Sequence, residues 1–323
     1  MARGDILLAI VRTALNGDMV SFRKSLEVLI QEEREKKHHI LADKLVASLS
    51  NSTSNNKLNG SHIRPNDNTK DLIFESTPHR NLDSLYLEDH VRDTVKELIE
   101  EQHRAELLRS YGIEPRHRIL LAGSPGNGKT TLAEAISYEL MCPMYTVRYE
   151  NLIGSFLGET SNRLMKVFDF IKTQRCVLFF DEFDAIGKER GDTKETGEIK
   201  RVVSSLLLQM DQLPSYVVVV TASNHPELLD RAVWRRFQLK LELTKPSKAL
   251  IEKQIESAIS KSSINLNYNL KNLSSKLEGL SFAEVEEFYL DVFRQSILKR
   301  KQDNAKSIVT NSLKQWSNKF IAK

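Results

Sequence analysis

The chain has 323 residues, room for about two domains at roughly 150 residues each, and is 40% hydrophobic, 28% charged and 7% aromatic. No apolar run approaches the roughly 20 residues of a membrane span, two cysteines (Cys142 and Cys176) cannot build a disulfide framework or by themselves a four-ligand zinc site, and a net charge of +4 excludes a strongly cationic nucleic-acid binder. Arg12 and Thr13 interrupt the first apolar stretch too soon for a signal peptide, and a reduced, cytoplasmic setting is expected.

Residues 1–49 read as helices. Ile6, Leu7, Ile10, Val11, Ala14 and Leu15 recur at helical spacing until Gly17. Asp18 can cap a second helix whose stripe is Phe22, Leu26, Leu29 and Ile30. A charged stretch follows, in which His38 and His39 have no partner at ligand spacing and read as a solvated face; Ile40, Leu41, Leu45 and Leu49 then resume a stripe. Residues 50–70, opening on Ser50-Asn51-Ser52-Thr53, hold too little apolar surface to offset chain entropy and predict a flexible linker.

Over residues 71–245 the pattern changes. Arg118 to Ala122, Met144 to Val147, Cys176 to Phe180, Tyr216 to Ala222 and Leu239 to Leu243 read as buried strands alternating with helical segments, which predicts an α/β fold with a parallel sheet covered on both faces. In residues 246–323 strands stop. Leu250, Ile251, Ile255 and Ile259 mark one helix, and Ser281 with Glu284 forms a capping box opening another that runs to about Gln302. Leu313, Trp316 and Phe320 stripe a last helix, expected to dock on a neighbour or on this small helical lid.

Gly123-Ser124-Pro125-Gly126-Asn127-Gly128-Lys129-Thr130 matches the phosphate-loop pattern and stands between an apolar strand and a run of good helix formers. Glycines let backbone N–H groups converge on phosphate oxygens, and the helix turns its positive end toward them. In that pattern Lys129 reaches the β- and γ-phosphates of ATP and Thr130 ligates Mg²⁺; Thr131 completes the nucleotide-binding set. Cys176-Val177-Leu178-Phe179-Phe180 then delivers Asp181 to the carboxyl end of a strand, where doubly wound sheets bind ligands. There Asp181 can hold Mg²⁺, and Glu182 can orient and deprotonate an attacking water.

With both halves in place, the chain from about Asn81 to Lys301 resembles the AAA family of ATPases, in its classical clade. Thr221-Ala222-Ser223-Asn224 looks like the family's sensor-1 strand, which implies that Asn224 contacts the γ-phosphate or the attacking water. Arg231-Ala232-Val233-Trp234-Arg235-Arg236-Phe237 follows at the family's spacing, so the resemblance makes Arg235 and Arg236 arginine fingers that reach a neighbouring subunit's nucleotide in a ring, by resemblance a hexamer. Asn151 to Glu159 resembles the first pore loop, in which Phe156 and Leu157 would grip a polypeptide; Ser155 stands where many relatives have lysine. Leu280-Ser281-Phe282-Ala283-Glu284 is similar to the sensor-2 region, with Phe282 in place of a common glycine and no arginine at the helix start.

The resemblance implies ATP hydrolysis that drives remodelling or unfolding of a protein partner. The sequence contains no His-Glu-x-x-His helix and no serine nucleophile elbow, so any proteolysis belongs to another chain. Ala2 to Leu8 and Glu32 to Asp43 resemble the leader of short bacterial AAA ATPases encoded beside a subtilisin-like serine protease in antiphage defence. The competing class is a nucleic-acid-linked ATPase, a helicase or clamp loader, supported only by the mild positive charge and Lys299-Arg300-Lys301. A scaffold that binds ATP without turnover is disfavoured by the joint presence of Lys129, Asp181, Glu182, Asn224 and Arg235.

Overall fold

The three central strands are buried on both faces, and this explains why they read as unbroken apolar runs. In strand β2 (Arg118–Ala122), Ile119 and Leu121 join one core while Leu120 joins the other. Strand β4 (Cys176–Phe180) divides the same way, Val177 and Phe179 against Cys176, Leu178 and Phe180. So does β5 (Val217–Ser223), with Val218 and Val220 opposite Val217 and Val219. Side chains alternate across a strand, so a strand covered on both faces is mostly apolar, and in β5 the buried polar residues Thr221 and Ser223 come only toward its carboxyl end.

The computed structural model describes Thr69 and residues 71–148, 157–184, 195–262, 264–300 and 304–321. All lie in Pro65–Lys323, one of two units into which the chain divides. The helices expected in residues 1–49, all but Thr69 of the linker expected over 50–70, and Phe156 lie outside the described residues.

Six strands form one sheet in the order β1-β3-β4-β5-β2-β6, where β1 is Ile73–Ser76, β3 is Met144–Val147 and β6 is Leu239–Glu242. All neighbours are parallel except the edge pair, in which β1 runs antiparallel to β3 with Ile73 opposite Val147. The sequence reading lacked β1, a four-residue strand whose Phe74 and Glu75 are exposed and carry no run of buried residues.

One face is covered by α1 (Asp89–His103) and α3 (Lys129–Glu139), through Val91, Val95, Leu98, Leu132 and Ile136. The short α2 (Ala105–Ser110) lies between them in sequence. The other face is covered by α4 (Leu157–Ile171) and α5 (Glu195–Asp211), through Leu164, Phe168, Leu206 and Met210. Cys142 and Cys176 are free and buried; burial pushes the Cys142 thiol up to about 11 and raises Cys176 further. Both are packing residues.

A turn of helix, α6 (Arg231–Trp234), precedes β6. Beyond Pro246 come α7 (Lys248–Lys261), α8 (Leu270–Lys276), α9 (Phe282–Leu298) and α10 (Lys306–Ile321), around a separate core of Ile251, Ile255, Leu273, Val285, Phe288, Val292, Ile308 and Trp316. The capping box is formed: the Ser281 side chain accepts from the Glu284 N–H, and the Glu284 carboxylate accepts from the Ser281 N–H at 2.8 Å. Helix α9 stops at Leu298, short of Gln302, and Arg300 then takes a positive φ of 51° that ends helical geometry.

Trp316 is buried and meets Phe288 edge-on with ring centroids 5.7 Å apart, and Leu313 packs against the same core, so these two residues of the α10 stripe dock on the helical region of their own chain, while the Phe320 side chain lies outside the described residues. Trp316→Ala is expected to destabilise the helical region by about 3–5 kcal/mol. Limited proteolysis should then cut within residues 246–323 first; an unchanged cleavage pattern and an unchanged urea midpoint would refute that packing role.

Candidate functional site

The candidate site lies at the carboxyl ends of β2, β5 and β4. Because Ala122 pairs with Ser223 and Phe180 with Thr221, the residues that follow these strands, Gly123, Asn224 and Asp181, emerge at one sheet edge. Gly123 has φ 138°, and a Cβ there would sit 2.2 Å from the carbonyl oxygen of Leu243, so only glycine lets the loop pass β6 this closely. Gly126 (φ 79°) and Gly128 (φ 85°) also take left-handed geometry, and Gly128 caps α3.

Inside the loop, Asn127 is buried and donates through Nδ2 to Ser124 Oγ at 2.9 Å and to the Leu243 carbonyl at 3.4 Å. The Lys129 ammonium, on a side chain buried in the first turn of α3, donates to the carbonyls of Gly123 at 2.6 Å and Ser124 at 3.1 Å. Burial pulls its pKa below the ordinary lysine value, while Asp181 and Asp184 oppose that shift. Pro125 and Thr130 are exposed at the mouth, and Thr131 is half-buried on α3.

The Thr130 hydroxyl donates to Asp181 Oδ2 at 3.1 Å, joining the two motifs across 51 residues. Glu182 follows with φ 49°, a left-handed conformation that costs a non-glycine residue about 1–3 kcal/mol. It is held by its own N–H donating to Asp181 Oδ1 at 2.9 Å and by the Phe183 N–H donating to the Ala222 carbonyl at 2.9 Å. The turn exposes the Glu182 side chain beside the loop while burying Phe183.

Asp184 was missed by sequence reasoning. Its buried carboxylate Oδ1 accepts from Ser223 Oγ at 3.0 Å and from the Asn224 N–H at 3.1 Å, so it fixes the backbone from which Asn224 projects. A third acid within the run Asp181-Glu182-Phe183-Asp184 was the available signal.

The helical region touches the loop directly. The Ala283 N–H donates to the Gly126 carbonyl at 3.1 Å, and a Cβ on Gly126 would stand 2.9 Å from Ser281 Oγ. Phe282 stacks on Tyr86 with centroids 6.4 Å apart.

Arg235 and Arg236 lie elsewhere. They close α6 at the amino end of β6, where the Gln238 N–H donates to the carbonyl of Arg118 at the start of β2. The phosphate loop begins at the other end of β2, about 13 Å away along the strand. Arg235 is exposed; Arg236 donates from Nε to Asp211 Oδ2 at 2.8 Å. Leu157 opens α4, with its side chain outside the described residues. Lys299 and Arg300 are exposed beyond α9.

The donor set suits a nucleotide and a hard divalent ion. Positive-φ glycines before a helix start, with a buried ammonium, match phosphate oxygens. A hydroxyl touching a carboxylate matches Mg²⁺, which binds through one or two protein oxygens together with substrate phosphates. No group of three or more His, Cys, Asp or Glu among the described residues could hold a metal ion.

This strand–loop–helix with an acidic strand end defines a phosphate-loop nucleoside triphosphatase. Residues 119–245 match the model of the ATPase family associated with various cellular activities (AAA). The chain is 32% identical over 306 residues to the AAA family ATPase y4kL of Sinorhizobium fredii, covering 94% of this chain and 92% of that protein. It is 33% identical to a putative 26S proteasome regulatory subunit homolog of Methanothermobacter marburgensis, over 54% of this chain and 47% of that protein. Against a proteasome-activating nucleotidase of Methanococcus maripaludis it is 35% identical, over 50% and 41% respectively. The chain thus spans less than half the length of these two archaeal relatives. It belongs to the AAA family of ATPases, and its reaction is the hydrolysis of ATP.

Lys129→Ala is expected to abolish binding of a fluorescent ATP analogue with the fold intact; retained binding would remove Lys129 from the phosphate site. Gly123→Ala should destabilise by about 2–3 kcal/mol and lower Tm by about 5–10 °C, whereas an unchanged Tm would show that the Leu243 contact is slack.

Proposed function

We propose that the chain is one subunit of a closed ring, hexameric as the family resemblance implies, that uses ATP hydrolysis to remodel or unfold a protein partner. The observation that carries the ring is the separation of the two charged stations. The phosphate loop and the Arg235-Arg236 turn occupy opposite edges of the sheet, so this turn serves a nucleotide bound by another copy. A heterologous contact of this kind, repeated around an axis, closes a ring.

Within one subunit, the loop from Gly123 to Gly128 turns its N–H groups on the phosphates, and Lys129 exchanges two neutral carbonyls for β- and γ-phosphate oxygens. Thr130 and Asp181 would hold Mg²⁺, which when bound offsets charge on the transferring phosphoryl group. Glu182 accepts the proton of the attacking water, and Asn224 orients that water or the γ-phosphate. The turn that carries Arg235 and Arg236 is the part supplied by the neighbour.

The protein-directed reading is supported by relatives whose names place them at the proteasome and by Phe156 and Leu157 at the pore-loop position, where a large apolar pair beside glycines costs exposure unless it grips something. The reduced-cysteine composition supports work in the cytoplasm, and no helix among the described residues is long and apolar enough to cross a membrane. From the leader resemblance of residues 2–8 and 32–43 we infer that the partner is a separate subtilisin-like protease in bacterial antiphage defence. A neighbouring gene for such a protease, and its co-purification with this chain, would support that pairing; normal phage protection by the ATPase alone would overturn it.

Glu182→Gln should retain ATP and lower kcat at least about 100-fold, accumulating the assembled species in mass photometry. A monomer under saturating ATP would contradict the ring. For Phe156→Ala, ATPase activity is expected to persist while partner-directed work is lost, and full biological activity would return Phe156 to a core-packing role.

A further inference from the structure

We propose that Arg236 is a positioning residue clamped inside its own subunit by Asp211, and that Arg235 alone carries positive charge to the neighbouring nucleotide. This rests on the ring reading above and divides a pair that sequence resemblance treats as equivalent.

The clamp is a three-residue network. Asp211 Oδ2 accepts from Arg236 Nε at 2.8 Å, and Oδ1 accepts from an Arg118 guanidinium nitrogen at 2.5 Å. A second nitrogen of Arg236 donates to the Ala232 carbonyl at 3.0 Å, one turn back in α6. Each carboxylate oxygen therefore has its own guanidinium, and Arg236 uses two of its donors inside the subunit. None of the three side chains is more than about a third exposed: Arg118 20%, Arg236 32%, Asp211 34%.

Asp211 is also in an unfavourable place for an acid. It is the last residue of α5, where the helix dipole already presents partial negative charge. Two arginines offset that cost, one from the start of β2 and one from the turn before β6. Swinging Arg236 outward would break both of its bonds and leave Asp211 with Arg118 only. Arg235 carries no such constraint: it is exposed at the C-cap of α6 and makes no side-chain hydrogen bond or ion pair among the described residues. Because Arg236 pins the turn to Asp211 at the end of α5, which Arg118 of β2 also holds, it sets the direction in which Arg235 projects.

Charge-only and geometry-specific roles separate on substitution by lysine. An ammonium can still pair with Asp211, but cannot reproduce a planar fork on a phosphoryl group. The test measures steady-state kcat and KM for ATP on the full chain. Arg235→Lys should lose at least about 100-fold in kcat, a floor below the roughly 1,000-fold or more that an arginine supplied in trans contributes because lysine keeps the charge, whereas Arg236→Lys should stay within about threefold of the parent. Asp211→Asn and Arg236→Ala should each lower kcat about 3–10-fold, and the double variant should fall no further than the worse single, since both break one clamp.

Equal damage from Arg235→Lys and Arg236→Lys would overturn the division, as would losses that multiply in the double variant. Thermal melts guard against misfolding of Asp211→Asn, and Arg236→Lys keeps the question answerable if that variant unfolds. Mixing Arg235→Lys subunits with Glu182→Gln subunits distinguishes failure of the ring reading. Each is strongly impaired alone, and the mixture regains turnover if Arg235 of one subunit serves the nucleotide of the next. No recovery would defeat trans action itself, leaving the Asp211 clamp to be judged by the lysine series.

Discussion

Two-sided burial of β4, β5 and β2 is the constraint on which the rest depends. A strand packed between helices cannot carry a charge along its length without the cost of burying it unpaired. All chemistry is therefore displaced to the first residues beyond the strand ends, where chain direction and register bring Gly123, Asp181 and Asn224 to one edge. Parallel pairing matters for the same reason: it gathers the carboxyl ends, and with them the helix start at Gly128, on a single side.

At that edge the groups are already in contact. Thr130 meets Asp181, Asp181 steadies the backbone of Glu182, and Asp184 steadies that of Asn224. Lys129 is held by neutral carbonyls in the field of two carboxylates. Little needs to be reorganised for such a site to receive a polyanion, and preorganised charge is the main source of rate enhancement in phosphoryl transfer.

What could be read from sequence follows from how local each signal is. The runs Cys176 to Phe180 and Tyr216 to Ala222 gave their strands to within a residue at each end, because burial on both faces needs an unbroken apolar stretch. The Ser281-Glu284 box located the start of α9, a contact made within one turn. Strand β1 escaped because its pairing with β3 is long-range and only its first residue is buried. Asp184 and Asp211 escaped for a related reason: their partners, Ser223 with Asn224 and Arg118 with Arg236, are brought to them only by the sheet. The single local hint at Asp211 is an acid where a helix end prefers a cation.

Strand β6 has a mechanical consequence. Its upstream end is fastened through Gln238, whose Oε1 takes the N–H groups of His117 and Arg118, immediately after the arginine turn. Its downstream end runs into Leu243, whose carbonyl fills the space a Cβ on Gly123 would need and also receives Asn127. An extended strand is stiff along its axis, so this short segment couples the arginine turn to the loop that Gly123 opens. Under the ring reading proposed above, load taken up at the arginine turn would be delivered as a displacement of the phosphate loop of the same subunit.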